Sequence, residues 1–244
     1  MALKSKIEWT ENTWNPITGC TKISEGCKNC YACQMAFRLQ KMGNEKYADG
    51  FNIRVHENCF NEPLNWKKSS RIFVNSMSDL FHKDISLGYI QKIFDVMNAA
   101  NWHIFQVLTK RADRLFELSD RLNWSDNIWL GVTVENKKNI DRIDYLRNIP
   151  AKIKFISFEP LLDDIGEISF SNIDWVIVGG ESGHYARPID EQWVLGIKKQ
   201  CEEQKVLFYF KQWGGTNKKK TGRLLLGKTW DEIPSFQYNS RTKT

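Results

Sequence analysis

The sequence lacks the long apolar segments and phosphate-binding loops by which many proteins are recognised. No run approaches the ~18 consecutive apolar residues of a transmembrane helix, and the first residues contain no apolar core of a secretory signal. Neither GxGxxG after the first predicted strand nor GxxxxGK followed by Ser or Thr occurs, so the usual nucleotide-binding fingerprints are missing. We therefore expect a cytoplasmic protein whose chemistry depends on other residues.

The composition is that of a folded protein with a large core. The chain has 244 residues, of which 41% are hydrophobic and 13% aromatic. Charged residues make up 26%, an ordinary share that argues against extensive disorder. Six cysteines in a cytoplasmic protein are more typical of metal ligands or reactive thiols than of disulfides.

Short apolar runs alternate with stretches of helical period along most of the chain. This alternation is typical of repeated β-α-β units, and runs that are apolar almost throughout are typical of a parallel sheet. The sequence therefore predicts a full or partial (β/α) barrel of about six to seven parallel strands. The predicted strands cover residues 71–76, 103–109, 128–134, 152–158, 175–179 and 206–212, and the predicted helices cover residues 86–101, 111–119, 136–146 and 190–204.

The last part of the chain is strongly basic. From Lys211 to the end, eight Lys and Arg residues accompany two acidic residues, and the residues before Lys211 are neutral overall. We assign residues 1–215 to the barrel, with an N-terminal cysteine-cluster loop, and residues 216–244 to a basic C-terminal hairpin and tail. Asn217 and Gly222 are turn formers, so three lysines are predicted to lie at the tip of the hairpin and to bind phosphates, although a solubilising tail is the alternative. The lysines are Lys218, Lys219 and Lys220, and Arg223 is predicted to lie with them at the tip.

The most specific motif is a group of four closely spaced cysteines near the start of the chain. Six residues separate Cys20 from Cys27, and two separate Cys27 from Cys30 and Cys30 from Cys33. Thiolates at this density suit zinc or an iron–sulfur cluster. A zinc site would use all four cysteines, or a nearby His56, whereas a cluster on the first three would leave one iron without a protein ligand. The spacing predicts a metal centre and leaves the metal open.

Several further motifs carry a resemblance to a known family. They lie in residues 14–31, 75–81, 108–111, 131–136, 157–161, 179–183 and 211–213. With these segments the chain resembles the phage and prophage three-Cys-motif proteins, a family related to radical SAM enzymes. The resemblance extends from about residue 7 to residue 234.

The resemblance implies a radical SAM-like barrel that holds a 4Fe–4S cluster through Cys20, Cys27 and Cys30. S-adenosylmethionine would bind the fourth iron and be cleaved to a 5′-deoxyadenosyl radical, which would take a hydrogen atom from the substrate. The electron would come from a donor such as flavodoxin or ferredoxin. Spore photoproduct lyase, a distantly similar radical SAM enzyme that acts on DNA, suggests by analogy a nucleotide or nucleic-acid substrate, which would be modified or repaired.

In (β/α) barrels, chemistry is carried by residues that follow the carboxyl ends of the strands. Together with the radical SAM pattern, this predicts three groups of contacts to S-adenosylmethionine. They are Ser76, Ser78 and Asp79 for the amino group, Thr133 and Glu135 for the ribose hydroxyls, and Gly179, Gly180 and Glu181 beside the adenine. The predicted substrate contacts on this rim are Lys110, Arg111 and Lys211, with Trp213 stacked on a base. The alternative is that such residues only cap helices or end strands.

Two cysteines lie outside the four-cysteine motif. Cys59 is a candidate catalytic residue that would donate a hydrogen atom to a product radical, or else a buried small side chain, as we expect for Cys201. The alternative to an enzyme is a non-catalytic nucleic-acid-binding protein with a structural zinc or iron–sulfur site. A third interpretation is a barrel that works with a protein partner, because so short a chain has little room for its own substrate cap. No membrane partner is expected.

Overall fold

In residues 3–235, which this computed structural model describes, eight strands form one open sheet. Seven of these strands run parallel to one another, and β1 pairs antiparallel with β2 at one edge. The strands in chain order are β1 (Leu3–Lys4), β2 (Asn12–Trp14), β3 (Ile17–Thr18), β4 (Arg54–Val55), β5 (Arg71–Val74), β6 (Ile104–Thr109), β7 (Ile128–Thr133), β8 (Ile153–Phe158), β9 (Trp175–Gly179) and β10 (Leu207–Gln212). The spatial order is β1-β2-β5-β6-β7-β8-β9-β10, and β3 pairs only with β4.

The spatial order of the strands follows the chain from β5 to β10, which is the arrangement of a half-barrel. The predicted class, a partial barrel of parallel strands, is therefore confirmed. Within the part of the chain that the structure describes, no helix is long and apolar enough to cross a membrane. The helices are α1 (Tyr31–Lys41), α2 (Leu87–Ala99), α3 (Ala112–Leu118), α4 (Asp141–Arg147), α5 (Glu191–Gln204) and α6 (Lys218–Thr221).

Alternate side chains of the strands pack into two separate apolar layers. Ile72 and Val74 of β5 join the layer that contains the helices, whereas Phe73 between them joins the layer on the other face of the sheet. In β9, Val176 joins the layer that contains the helices, and Trp175 joins the layer on the other face. The face without helices is filled largely by bulky aromatic side chains. They are Trp9, Phe73, Trp129, Phe155, Trp175 and Tyr209.

Side-chain caps explain where several helices begin. The hydroxyl of Ser86 accepts a hydrogen bond from the backbone N–H of Tyr89, and the Asp190 carboxylate accepts one from Gln192, so α2 and α5 begin close to their predicted starts. The helix predicted over residues 136–146 is instead divided into a 3₁₀ turn and α4. The amide of Asn139 donates to the Glu135 carboxylate at 3.0 Å, a contact that holds this turn against the end of β7.

The lysine-rich segment after β10 forms the single helical turn α6 and not the tip of a hairpin. Asn217 acts as a helix cap, because its side-chain oxygen accepts a hydrogen bond from the backbone N–H of Lys220 at 3.3 Å. The hydroxyl of Thr221 donates to the carbonyl of Gly214 at 2.6 Å, which holds the turn against the end of β10. The prediction of a hairpin tip was wrong for this segment, because helix capping, and not strand pairing, satisfies the hydrogen-bonding groups of its backbone.

The chain reverses later, where Leu225 and Lys228 form an antiparallel bridge. It then runs back beside β10, and the backbone N–H of Phe210 donates to the Trp230 carbonyl at 2.9 Å. This contact covers part of the sheet edge that β10 would otherwise expose. The boundary at residue 215 stays a prediction, and residues 236–244 of the predicted tail lie outside the described residues.

Gly19→Ala is expected to destabilise the protein more than Gly43→Ala. Both glycines have left-handed backbones, with φ of 86° and 72°, so both variants lose about 1–2 kcal/mol from backbone strain. A Cβ at Gly19 would lie 2.0 Å from the carbonyl oxygen of Asn52, whereas one at Gly43 would meet nothing within 4 Å. In Gly19→Ala this clash lowers the free energy of unfolding by a further amount of about 1–3 kcal/mol. The Tm of this variant should therefore lie roughly 2–12 °C below that of Gly43→Ala. Thermal unfolding measures the difference, and equal melting temperatures would contradict it.

Candidate active site

A cavity of about 410 Å³ opens at the carboxyl ends of the parallel strands. Its apolar lining includes Trp9, Phe73 and Leu108. Its polar lining comes from the residues that follow the strands and from residues 20–30, which we call the cysteine loop. The cavity therefore lies at the rim where the sequence predicts the site.

Three cysteines line this cavity, and they are Cys20, Cys27 and Cys30. Each is half-buried. Burial raises the pKa of the Cys20 thiol to about 11, and nearby Asp79 acts in the same direction. Arg111 opposes both effects, since its Nη1 donates a hydrogen bond to the Cys20 Sγ at 3.5 Å.

The other three cysteines lie away from the cavity. Cys33 lies on the first turn of α1, and it does not line the cavity, although it is near Cys30. Cys59 lies beside Lys46, whose Nζ is 3.6 Å from the Cys59 Sγ, so the structure does not bring this candidate hydrogen donor to the site. Cys201 is fully buried on α5, as expected for an apolar side chain.

The start of the cysteine loop is held by a buried ion pair between Arg111 and Asp79. Arg111 Nη1 lies 2.9 Å from Asp79 Oδ2, and its Nη2 donates to the Thr21 carbonyl at 3.0 Å. The four acceptor positions of the Asp79 carboxylate are all used within the chain, so its predicted contact with an amino group of S-adenosylmethionine would require one of these bonds to break. The other donors to Asp79 are the Thr109 hydroxyl and the backbone N–H groups of Phe81 and Lys110.

The middle of the cysteine loop lies against Glu135, which is completely buried. Glu135 accepts a hydrogen bond from the Ser24 hydroxyl at 2.6 Å, and its Oε2 lies 2.9 Å from Nη1 of Arg142. The loop passes so close that a Cβ at Gly26 would lie 2.4 Å from Cγ of Glu135. Glu135 does not line the cavity, so the predicted contact with a ribose would require the loop to move.

The end of the cysteine loop is held by Glu181, which lines the cavity. Its carboxylate accepts a hydrogen bond from the Asn29 amide at 2.9 Å and pairs with Arg187 at 2.6 Å. Nη2 of Arg187 also donates to the Glu25 carbonyl at 3.0 Å. Burial alone would raise the pKa of Glu181, but the hydrogen bonds from Arg187 and Asn29 outweigh it, so this pKa lies below its ordinary value.

The three carboxylates that are predicted to bind S-adenosylmethionine also hold the cysteine loop. Asp79, Glu135 and Glu181 follow β5, β7 and β9, and each pairs with an arginine while contacting the cysteine loop directly or through that arginine. The loop runs along the carboxyl edge of the sheet and is fixed at three points. Sequence reasoning missed Arg142 and Arg187, which have no motif spacing and are brought to the site by the fold.

Sequence reasoning also gave no role to Glu159, which lines the cavity beside Lys211. The two side chains form an ion pair with 2.7 Å between Nζ and Oε1, and both remain slightly exposed. Gly179 lies beneath this pair, where a Cβ would approach Glu159 Oε1 to 2.9 Å. Gly179 itself does not line the cavity. Its lack of a side chain makes room for the ion pair.

The remaining predicted contacts divide between the cavity and other surfaces. Trp213 does not line the cavity, and its indole N–H donates to the Leu224 carbonyl at 2.9 Å. Lys218 lines the cavity and pairs with Glu8 at 2.9 Å, whereas Lys220 is exposed outside it. For Lys219 only the backbone is described. The other predicted residues that line the cavity are Ser76, Ser78, Asp79, Lys110, Arg111, Thr133 and Gly180.

The three thiols of the cavity are the candidate ligands of a metal centre. Within residues 3–235, no group of three or more His, Cys, Asp or Glu side chains is close enough to hold a single ion. The thiols of Cys20, Cys27 and Cys30 instead lie at separate points of one cavity. Thiolates are the usual protein ligands of iron–sulfur clusters, so the chemistry of these three donors suits such a cluster.

The fold is shared with two solved structures of spore photoproduct lyase variants, at 12% identity in each case. One has bound AdoMet and dinucleoside spore photoproduct; the TM-score is 0.51, over 84% of this chain and 65% of that chain. The other has a TM-score of 0.53, over 87% of this chain and 79% of that chain. The chain thus spans just under two thirds of the first structure. No curated protein matches the sequence. A model of the family "Protein of unknown function (DUF5131)" matches residues 4–234, and the chain belongs to this family.

Proposed function

We propose that this protein is a radical SAM-type enzyme whose strand-end cavity holds a 4Fe–4S cluster and S-adenosylmethionine, and that it acts on a nucleotide or nucleic acid. The observation that carries the proposal is the position of the cysteines. Cys20, Cys27 and Cys30 line the cavity, whereas Cys33, Cys59 and Cys201 do not. The likeness in fold to a lyase solved with AdoMet and a dinucleoside photoproduct supports the same chemistry and substrate class.

One of the three thiols has a neighbour that favours the anionic form a cluster requires. Arg111 donates a hydrogen bond to the Cys20 Sγ at 3.5 Å and so opposes the burial that raises the pKa of this thiol. Hydrogen bonds of this kind orient metal ligands and tune the centre. When bound, the cluster would supply one-electron chemistry, with electrons from a donor such as flavodoxin or ferredoxin. The cysteine loop would hold it at the cavity wall.

Binding of S-adenosylmethionine is assigned to the polar groups that remain on the cavity wall. The hydroxyls of Ser76, Ser78 and Thr133 line it. Ser76 and Ser78 already donate to neighbouring oxygens at 3.1 and 2.6 Å, so each would act towards the cofactor as an acceptor. The backbone at Gly180 also lines the cavity and presents no side chain to a ligand. Asp79, Glu135 and Glu181 serve the cofactor indirectly, by fixing the cysteine loop.

The substrate side of the cavity combines flat apolar surfaces with cations. Trp9 and Phe73 provide the apolar surface, and Lys110, Lys211 and Lys218 line the same space. A nucleotide matches both features, because its base is flat and its phosphates are anionic. Lys211 is assigned to the substrate together with its ion-pair partner Glu159, which lines the same cavity.

Anaerobic reconstitution with iron and sulfide, followed by dithionite and S-adenosylmethionine, tests this function. The wild-type protein should turn brown and release 5′-deoxyadenosine, which chromatography measures. Cys30→Ala should do neither, while the matched variant Cys33→Ala should do both. Methionine without 5′-deoxyadenosine would contradict the radical chemistry. A colourless protein with one bound zinc would favour the non-catalytic nucleic-acid-binding alternative.

A further inference from the structure

A second hollow, of about 670 Å³, lies beside the candidate active site. It shares Lys110 and Arg111 with the first cavity, and the start of the cysteine loop forms part of its wall. We call it the basic groove, because its lining contains seven cationic side chains and two carboxylates. The cations are Lys22, Lys83, Lys110, Arg111, Arg114, Lys138 and Arg142, and the carboxylates are Asp113 and Asp141.

Several of these cations are available to a ligand. Lys22 and Lys83 are exposed, whereas Lys110 is only partly exposed and lies 3.6 Å from the buried Glu135 carboxylate. Arg114 donates to the carbonyls of Phe81, His82 and Ile85, which carry no formal charge. Lys138 lies 3.4 Å from Glu25, but both side chains are mostly exposed, so water screens the pair strongly. By contrast, Arg111 and Arg142 are committed to the buried carboxylates that hold the cysteine loop.

The groove also presents aromatic surface. Tyr145 lines it, and the ring of Phe116 packs against Tyr145 with 5.7 Å between centroids. Phe116 is 45% exposed and lies beside the groove, next to Tyr145, without forming part of its lining. Cations that track a phosphate backbone and exposed rings on which bases stack together form the usual binding surface for single-stranded nucleic acid. An acidic protein would use the cations but would not need the rings.

We propose that the basic groove binds a single-stranded stretch of DNA or RNA and leads it towards the strand-end cavity across Lys110 and Arg111. This proposal rests on the proposed function, because it takes the nucleic acid bound in the groove to be the substrate of the enzyme. Lys22, Lys83, Arg114 and Lys138 would contact phosphates, and Phe116 with Tyr145 would stack on a base. Phosphate contacts of this kind position a strand without reading its sequence.

Fluorescence anisotropy with a labelled oligothymidylate, measured on the cluster-free protein at several salt concentrations, tests the groove. The double variant Lys83→Ala/Lys138→Ala should bind roughly 5–30-fold more weakly at 0.1 M salt, with the salt slope lower by about 1.4. Lys92→Ala/Lys199→Ala is the matched control, because these lysines are also exposed and lie 3.6 Å from a carboxylate outside the groove. It should bind as the wild type does.

Two further variants separate the competing explanations. Phe116→Ala should weaken binding about fivefold or more while leaving the salt slope unchanged, because it removes stacking and no charge. Lys218→Ala/Lys220→Ala tests the basic tail. If this variant alone loses affinity, the tail is the binding surface and the groove is not. Equal loss in the control pair, or equally tight binding of labelled polyglutamate, would also overturn the proposal.

These outcomes are independent of the cluster. A protein that binds the oligonucleotide through the groove but forms no cluster would uphold the groove and overturn the enzyme. If the wild-type protein produces 5′-deoxyadenosine but the Lys83→Ala/Lys138→Ala variant binds the oligonucleotide as tightly as the wild type does, the enzyme is upheld and the groove is overturned.

Discussion

Replacing Cys20, Cys27 or Cys30 by alanine is expected to abolish binding of the iron–sulfur cluster. Each replacement removes one of the three thiols that line the cavity, and a cluster held by two thiolates would lose most of its attachment. Iron content after anaerobic reconstitution should fall from about four atoms per chain to less than one. Iron and sulfide assays, together with the visible absorption spectrum, measure this loss.

Cys33→Ala and Cys201→Ala are the controls for these variants. Cys33 lies on α1 outside the cavity, and Cys201 is buried in the core, so both proteins should retain the wild-type iron content. If Cys33→Ala alone abolishes metal binding, the centre is held by four cysteines. Such a centre would leave no iron open for S-adenosylmethionine, which would contradict the proposed chemistry. Near-UV circular dichroism of each cluster-free variant shows whether its fold is intact.

Glu135→Ala is expected to lower the free energy of unfolding by about 3–5 kcal/mol, because it leaves the buried Arg142 guanidinium without its carboxylate partner. The cysteine loop should loosen as well, since the Ser24 hydroxyl loses its acceptor. Urea unfolding measures the first effect. Hydrogen exchange of the backbone amides in residues 20–30 measures the second, and should become faster in the variant.

Glu25→Ala is the matched control for Glu135→Ala. Glu25 also lies in the contact between the loop and the barrel, but its ion pair with Lys138 is mostly exposed. Its removal should change stability by less than about 1 kcal/mol. Glu135→Gln should fall between the two, because an amide keeps the volume and one acceptor oxygen. Equal stability of Glu135→Ala and Glu25→Ala would contradict the buried anchor.

The strands that are buried on both faces could be predicted closely from the sequence. Trp175–Gly179 has its predicted bounds, because a continuous apolar run is a strong local signal. The strand Asn12–Trp14 was not predicted. It has only three residues, one of them fully buried, and it is fixed by parallel pairing with Ile72–Val74 about 60 residues away. Such a strand depends on its partner, and no local pattern reports it.

The position of the three cysteines at the rim could also be predicted, but the contacts that the rim carboxylates make with the cysteine loop could not. A carboxylate at the end of a strand has the same sequence appearance whether it faces a ligand or a neighbouring arginine. Glu135 is separated from Ser24 by 111 residues and Glu181 from Asn29 by 152, so only the folded sheet brings them together. Their burial, and the arginines that compensate it, are properties of the tertiary structure.

The anchoring of the cysteine loop has a consequence for the order of events during protein synthesis. The loop leaves the ribosome early, but Arg111, Glu135 and Arg187 emerge 90 to 162 residues after the loop atoms that they contact. A nascent chain folds from its N-terminus as it is made, so the three thiols precede every side chain that arranges them. Until most of the barrel has been translated, these cysteines lack the contacts that fix them in the folded chain, so assembly of the proposed cluster would be a late step.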